Sequence, residues 1–169
     1  MFEPGTSVLY SNTGIDIGAA IVEEVTGMKW EDYLKREVLD PLGMKSTWFW
    51  PTDKQLKKKV ELYEFKDGAP AEWVEEMAWQ QRPYNDSHVF ASAGAGLWTT
   101  ALDQLKFYKM LMNLGVGDNG VRILKEQTVK SILARSTRSE GMEGYSLGLN
   151  APVEDTEDAW FGHGGAWGT

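Results

Sequence analysis

The chain has 169 residues, 42% of them hydrophobic, which is enough for the core of one domain. Its formal net charge of −8 sets it against nucleic acid, whose phosphates it would repel. With no cysteine and 2 histidines it has no disulfide framework, no thiolate chemistry and too few ligands for a dedicated transition-metal centre; it also lacks the run of ~18 apolar residues that spans a bilayer.

From Ser11 the stretch SNTGIDIGAAIVEEVTG carries its own helix punctuation. Ser11, Asn12 and Thr13 offer N-cap oxygens, and Gly27 supplies the left-handed position after the last turn. Between them Ile15, Gly18, Ala19, Val22 and Val25 recur at helical spacing, and the small residues predict close packing against a neighbour. A second helix is expected over 30–39, with Trp30, Tyr33, Leu34 and Val38 on one face and Pro41 as its stop. Lys57, Lys58 and Lys59 are followed by Glu61 and Glu64 and read as a solvated face. Asp67-Gly68, between two β-compatible runs, predicts a hairpin.

The segment FASAGAGLWTT at 90–100 is too rich in small residues for a regular element and predicts a tight loop close to other backbone. Thr100 opens the clearest helix. Thr100 and Asp103 form a capping box, Leu105, Tyr108, Leu111 and Met112 make the stripe, and Gly115 ends it. Another helix is expected over 125–134, then two strand-like pieces, YSLGLN and AWFGH. The fold class that follows is α+β and predominantly helical, one domain over 1–169 with a few late strands.

Five features could carry chemistry or line a site. Tyr10 and Asn12, two apart before a helix, can point into one cleft; alternatively Asn12 caps the helix and Tyr10 packs beneath it. The stretch FGHGGAWGT sets His163 and two glycines where a backbone must pass close to something. Residues 144–148, GYSLG, have the spacing of a nucleophile elbow, but Tyr145, Leu147 and Leu149 alternate as in a strand. Asn150-Ala151-Pro152 then follows where an elbow needs a helix, so Ser146 reads as an ordinary strand serine. Asp86 and His88 read as a polar loop or as a carboxylate–histidine pair. Trp48, Trp50, Trp73, Trp79 and Trp98 either pack the core or line an aromatic cleft.

In order along the chain, Pro4-Gly5-Thr6, Tyr10-Ser11-Asn12, Gly27, DPLGM at 40–44, AGAGLWTTALDQLKFYKMLMNLG at 93–115, RIL at 122–124, YSLGL and GHGG resemble the serine β-lactamase family. The resemblance is closer to its class C-like branch, which includes D-alanyl-D-alanine carboxypeptidases and esterases. That family works with Ser-x-x-Lys, Tyr-x-Asn and a Lys/His-x-Gly triplet. The resemblance implies the helical-domain portion of a β-lactamase/transpeptidase-like fold. It implies acyl transfer to water through an acyl-serine, on a small β-lactam, D-amino-acid peptide or ester, with no metal or organic cofactor. Tyr10 and Asn12 match the second motif, implying a general base and a residue that holds the substrate amide or the catalytic lysine. His163, Gly164 and Gly165 match the third. His163 would orient the Tyr10 hydroxyl or bind a substrate carboxylate or ester, and the glycines would let substrate lie alongside. The backbone N–H of Ala166 would be one oxyanion donor, worth ~3 kcal/mol, with Trp160 and Trp167 flanking the substrate.

The first motif has no match, because no serine here is followed three residues on by lysine. The family places that motif upstream of the tyrosine, so the sequence is expected to be a piece of a larger catalytic domain, cut at both ends. Without that lysine, little is left to lower a phenol pKa of about 10 by the ~3 units, or ~4 kcal/mol, that a base near pH 7 requires. The chain alone is therefore expected not to catalyse acyl transfer. The alternative is a non-catalytic binding or self-assembling module derived from that fold. Late strands without their neighbours would leave edges exposed, which predicts a homo-oligomer through those edges.

Overall fold

The structure, a computed structural model, describes residues 2–3, 6–7, 9–61, 63–72, 90–134, 145–150 and 160–165. Helix α1 (Asn12–Thr26) begins where Ser11, extended at φ −152° and ψ 117°, accepts the Gly14 N–H on its Oγ. It ends at Gly27, φ 67°, whose N–H donates to the Glu23 carbonyl. Ser11 is the cap, which leaves the Asn12 side chain without that task. The small-residue stripe is not closed as the spacing predicts. Ala19 is buried, but nothing stands within 4 Å of where a Gly18 Cβ would be.

α2 (Trp30–Leu34), a π-helical turn (Lys35–Leu39) and α3 (Asp40–Leu42) run on as one helix. Pro41 therefore does not stop it; Gly43, in the left-handed region at φ 66°, does. Proline has no N–H for the carbonyl four back, and its ring clashes with it. The wider turn, in which the Asp40 N–H reaches back to the Lys35 carbonyl, takes up that misfit. Trp30 stacks on Tyr33, 6.4 Å between ring centres, and Leu34 and Val38 reach the core from the expected face.

α4 (Asp53–Leu56) is a single turn held by a complete capping box between Thr52 and Gln55. β1 (Tyr63–Lys66) and β2 (Ala69–Glu72) then pair antiparallel, Lys66 opposite Ala69 and Phe65 opposite Pro70. Asp67 and Gly68 both have positive φ, 52° and 80°, as a two-residue hairpin turn of this twist requires.

α5 (Ala101–Met112) is capped by Thr100, but Asp103 does not close the box. Its carboxylate turns inward and accepts from the Ser46 N–H at 2.6 Å, Thr47 Oγ1 at 3.1 Å and Lys106 Nζ at 2.7 Å. The inner face consequently runs Asp103, Phe107, Met110, Leu111, a spacing of i, i+4, i+7, i+8. The predicted stripe is off by part of a turn, and Leu105 and Met112 are 50% and 70% exposed. The helix stops at Met112, and the Gly115 N–H returns to the Met110 carbonyl. α6 (Glu126–Leu133) buries Val129.

These pieces share one core of Leu39, Leu42, Met44, Met110, Leu111, Val129 and Leu149, with Phe161 packed against it. The late strands are shorter than the alternation suggests: Tyr145 bridges Asn150, and Asn150 bridges Gly162. Ser146 is not mid-strand. Gly148, at φ 86°, bends the chain so that the Ser146 N–H donates to the Leu149 carbonyl at 2.7 Å. The architecture is predominantly helical, with β1 and β2 as the only sheet among the described residues.

Candidate active site

Capping by Ser11 fixes the geometry at the start of α1. Tyr10 lies just before the cap residue and Asn12 is the first residue of the helix, so both stand at the helix mouth with exposed side chains. At the other end of the sequence, Gly162 is held to Asn150 by two backbone hydrogen bonds of 2.7 and 3.0 Å. That pairing carries His163 to Tyr10, 153 positions away, with 3.3 Å between the Tyr10 hydroxyl and His163 Nε2.

The second histidine nitrogen settles the direction of that bond. His163 Nδ1 lies 2.6 Å from the Gly164 carbonyl, which can only accept, so Nδ1 carries the proton. In a neutral imidazole Nε2 is then the lone-pair nitrogen, and the Tyr10 O–H donates to it. The ring centres of the two residues are 5.9 Å apart. Beside them runs an open strip of backbone: Gly164 and Gly165 are exposed, and a Cβ at Gly164 would meet nothing within 4 Å. Trp160 is 66% exposed. Ala166, Trp167, Trp73, Trp79 and the pair Asp86 and His88 lie outside the described residues.

Asn12 has a neighbour that composition alone does not reveal. The loop at 92–96 seats on it so closely that a Gly94 Cβ would stand 3.0 Å from the Asn12 Cβ and 3.1 Å from its carbonyl oxygen. Asp16, one turn along α1, holds the loop there by accepting from Ser92 Oγ at 3.0 Å and the Gly94 N–H at 3.2 Å. Its i+4 relation to Asn12 is the one sequence signal that could have flagged it. Tyr145 is the other residue to which sequence reading assigns no role in the site, with its ring centre 6.1 Å from that of Tyr10 and 6.3 Å from that of His163. Burial pushes the Tyr145 phenol above its ordinary range, and the neighbouring Tyr10 adds to the rise.

The competing nucleophile is spoken for. Ser146 is 4% exposed and its Oγ lies against the carbonyls of Ile132 and Ala134 at the end of α6. Trp48 and Trp98 exchange two backbone hydrogen bonds of 2.8 Å, and Trp48 and Trp50 line a cavity of about 370 Å³ that none of Tyr10, Asn12 or His163 reaches. Among the described residues no three His, Asp or Glu side chains gather as metal ligands, and no helix is long and apolar enough to cross a membrane.

Comparison with known proteins gives this arrangement a context. The Beta-lactamase family model matches residues 1–169. A protein of Mycobacterium tuberculosis is 30% identical over 170 residues, covering 96% of this chain and 37% of the relative. The lovastatin esterase of Penicillium rubens is 26% identical over 152 residues, covering 90% of this chain and 36% of that enzyme. Among solved structures, the octameric penicillin-binding protein homologue from Pyrococcus abyssi superposes with a TM-score of 0.60 at 25% identity, over 88% of this chain and 31% of that one. The chain thus spans about a third of the length of these relatives.

Proposed function

Because the chain belongs to the Beta-lactamase family through residues 1–169, we propose that it carries the base and the substrate clamp of a serine hydrolase site. The observation that supports this best is the 3.3 Å contact between Tyr10 and His163, which joins the second and third motifs across 153 positions. Tyr10 acts as general base toward a serine nucleophile, taking the serine proton as its own passes to the Nε2 lone pair of His163, which also fixes the direction of the hydroxyl. Asn12 and the open strip at Gly164 and Gly165 hold the acyl substrate, and the Ala166 N–H supplies an oxyanion donor flanked by Trp160 and Trp167. The substrate is a β-lactam, a D-amino-acid peptide or an ester, and the reaction is acyl transfer to water.

No serine among these 169 residues is followed three residues on by lysine, so this chain does not itself supply the Ser-x-x-Lys pair of that reaction. On this reading the isolated chain does not turn over substrate. Intact-mass measurement after exposure to a fluorophosphonate probe tests it. No adduct is expected; an adduct mapped to Ser146 would overturn the assignment in favour of an elbow.

A second reading, a self-assembling non-catalytic module, is favoured by the apolar side chains that α1 leaves exposed, Ile17 at 58%, Ile21 at 59% and Val25 at 79%. The homologue from Pyrococcus abyssi is itself described as octameric.

A further inference from the structure

From the packing around the Tyr10–His163 pair we infer that Tyr145 is a positioning residue for it, carried on a hairpin that Ser146 anchors to α6. The chain of contacts is continuous. Ser146 is buried, and its Oγ is bound to the carbonyls of Ile132 and Ala134, the last turn of α6 and the residue after it. α6 is itself fixed, since Val129 is 0% exposed in the core. The Tyr145–Asn150 and Asn150–Gly162 bridges then set the backbone of Tyr145 two ladder steps from the residue before His163. The three rings meet pairwise, Tyr145 near-perpendicular to Tyr10 at 78° and to His163 at 72°.

Edge-to-face contacts of this kind fix ring planes as well as distances. Tyr10 is otherwise 51% exposed and precedes the first helical residue, so little else restrains its side chain. Tyr145 sets a neutral phenol ring beside Tyr10, and its partial burial pushes that phenol's pKa further up.

The inference rests on Tyr10 and His163 being the site, but its readout does not require turnover. The chain has 2 histidines, so the ring nitrogen resonances of His163 are assigned by comparison with H88Q. In the wild-type background Y10F removes the proton donated to Nε2 and shifts that nitrogen. With Y145A that shift is mostly lost, and with Y145F, which keeps the ring, it is retained. A full shift in the Y145A background, or its loss in Y145F, would overturn the positioning role. Where the Asn150 amide signal shows that Y145A has unfolded the hairpin, Y145L replaces it under the same criterion. Failure of the proposed chemistry appears separately: a fluorophosphonate adduct on Ser146 with the nitrogen coupling intact condemns the hydrolase assignment and leaves the positioning one standing.

Discussion

Asp103 ties α5 to the chain at Ser46 and Thr47 through one carboxylate. Its carboxylate is 4% exposed, and taking a charge out of water costs free energy unless partners replace the water. Burial alone would raise its pKa. The Lys106 ammonium, the Ser46 N–H and the Thr47 hydroxyl outweigh that and hold it below its ordinary value of 3.8. A carboxylate with a depressed folded pKa binds fewer protons folded than unfolded, so its contribution is complete above the unfolded value. It is lost as pH falls through the folded one. Urea unfolding of wild type should therefore weaken as pH is taken from neutrality to below about 3.8. D103A should be less stable at pH 7 by about 1–3 kcal/mol and should show a shallower acid slope. Equal slopes would mean that other carboxylates carry the acid sensitivity.

At the scale of elements, two glycines separate local propensity from tertiary contact. Gly18 lies inside α1 with nothing within 4 Å of its absent Cβ, so G18A should stabilise by about 0.5–1 kcal/mol. Gly94 lies in the loop that seats on Asn12, where a Cβ would press on that residue at 3.0–3.2 Å. G94A should therefore destabilise, by about 1–3 kcal/mol if the loop cannot yield. Opposite signs in the two thermal midpoints are the expected result, and a stabilising G94A would mean the loop is not seated as described.

The same contrast explains what the sequence made legible. The ends of α1 and the hairpin at Asp67-Gly68 are written in nearest neighbours: a hydroxyl before a helix, a glycine after it, two residues able to take positive φ. The passage of a helix through Pro41 was not, because a π turn is a register adjustment that no single residue type announces. Nor was the true inner face of α5, since Asp103 counts as a capping residue until Ser46 and Thr47 arrive from 57 and 56 positions away. In the site, Tyr10 and His163 were legible as motif members. Asp16 and Tyr145 were not, because their roles exist only once a loop and a hairpin have folded against them.

For the whole molecule, the exposed side of α1 is the feature with the largest consequence. Ile17, Ile21 and Val25 recur at i, i+4 and i+8, so their exposed side chains form one stripe rather than scattered points. Leu102 on α5 is 74% exposed and Phe65 on β1 78%. Burying an aliphatic side chain fully yields about 1.5–3 kcal/mol, and a stable dimer needs roughly 800 Å² from each partner. A stripe of this length covers part of that area, and the edge of the β1–β2 hairpin, unpaired among the described residues, offers backbone donors and acceptors for the rest. The chain should therefore self-associate in a concentration-dependent way, and sedimentation velocity over a dilution series should show it. I21E should shift the equilibrium toward monomer by placing like charges face to face across a two-fold contact. If association proceeds through the hairpin edge alone, I21E leaves it unchanged and a proline at Phe65 dissolves it. A wild-type chain that sediments as a clean monomer at high concentration would remove both surfaces from consideration, leaving the apolar stripe of α1 as solvent-facing surface.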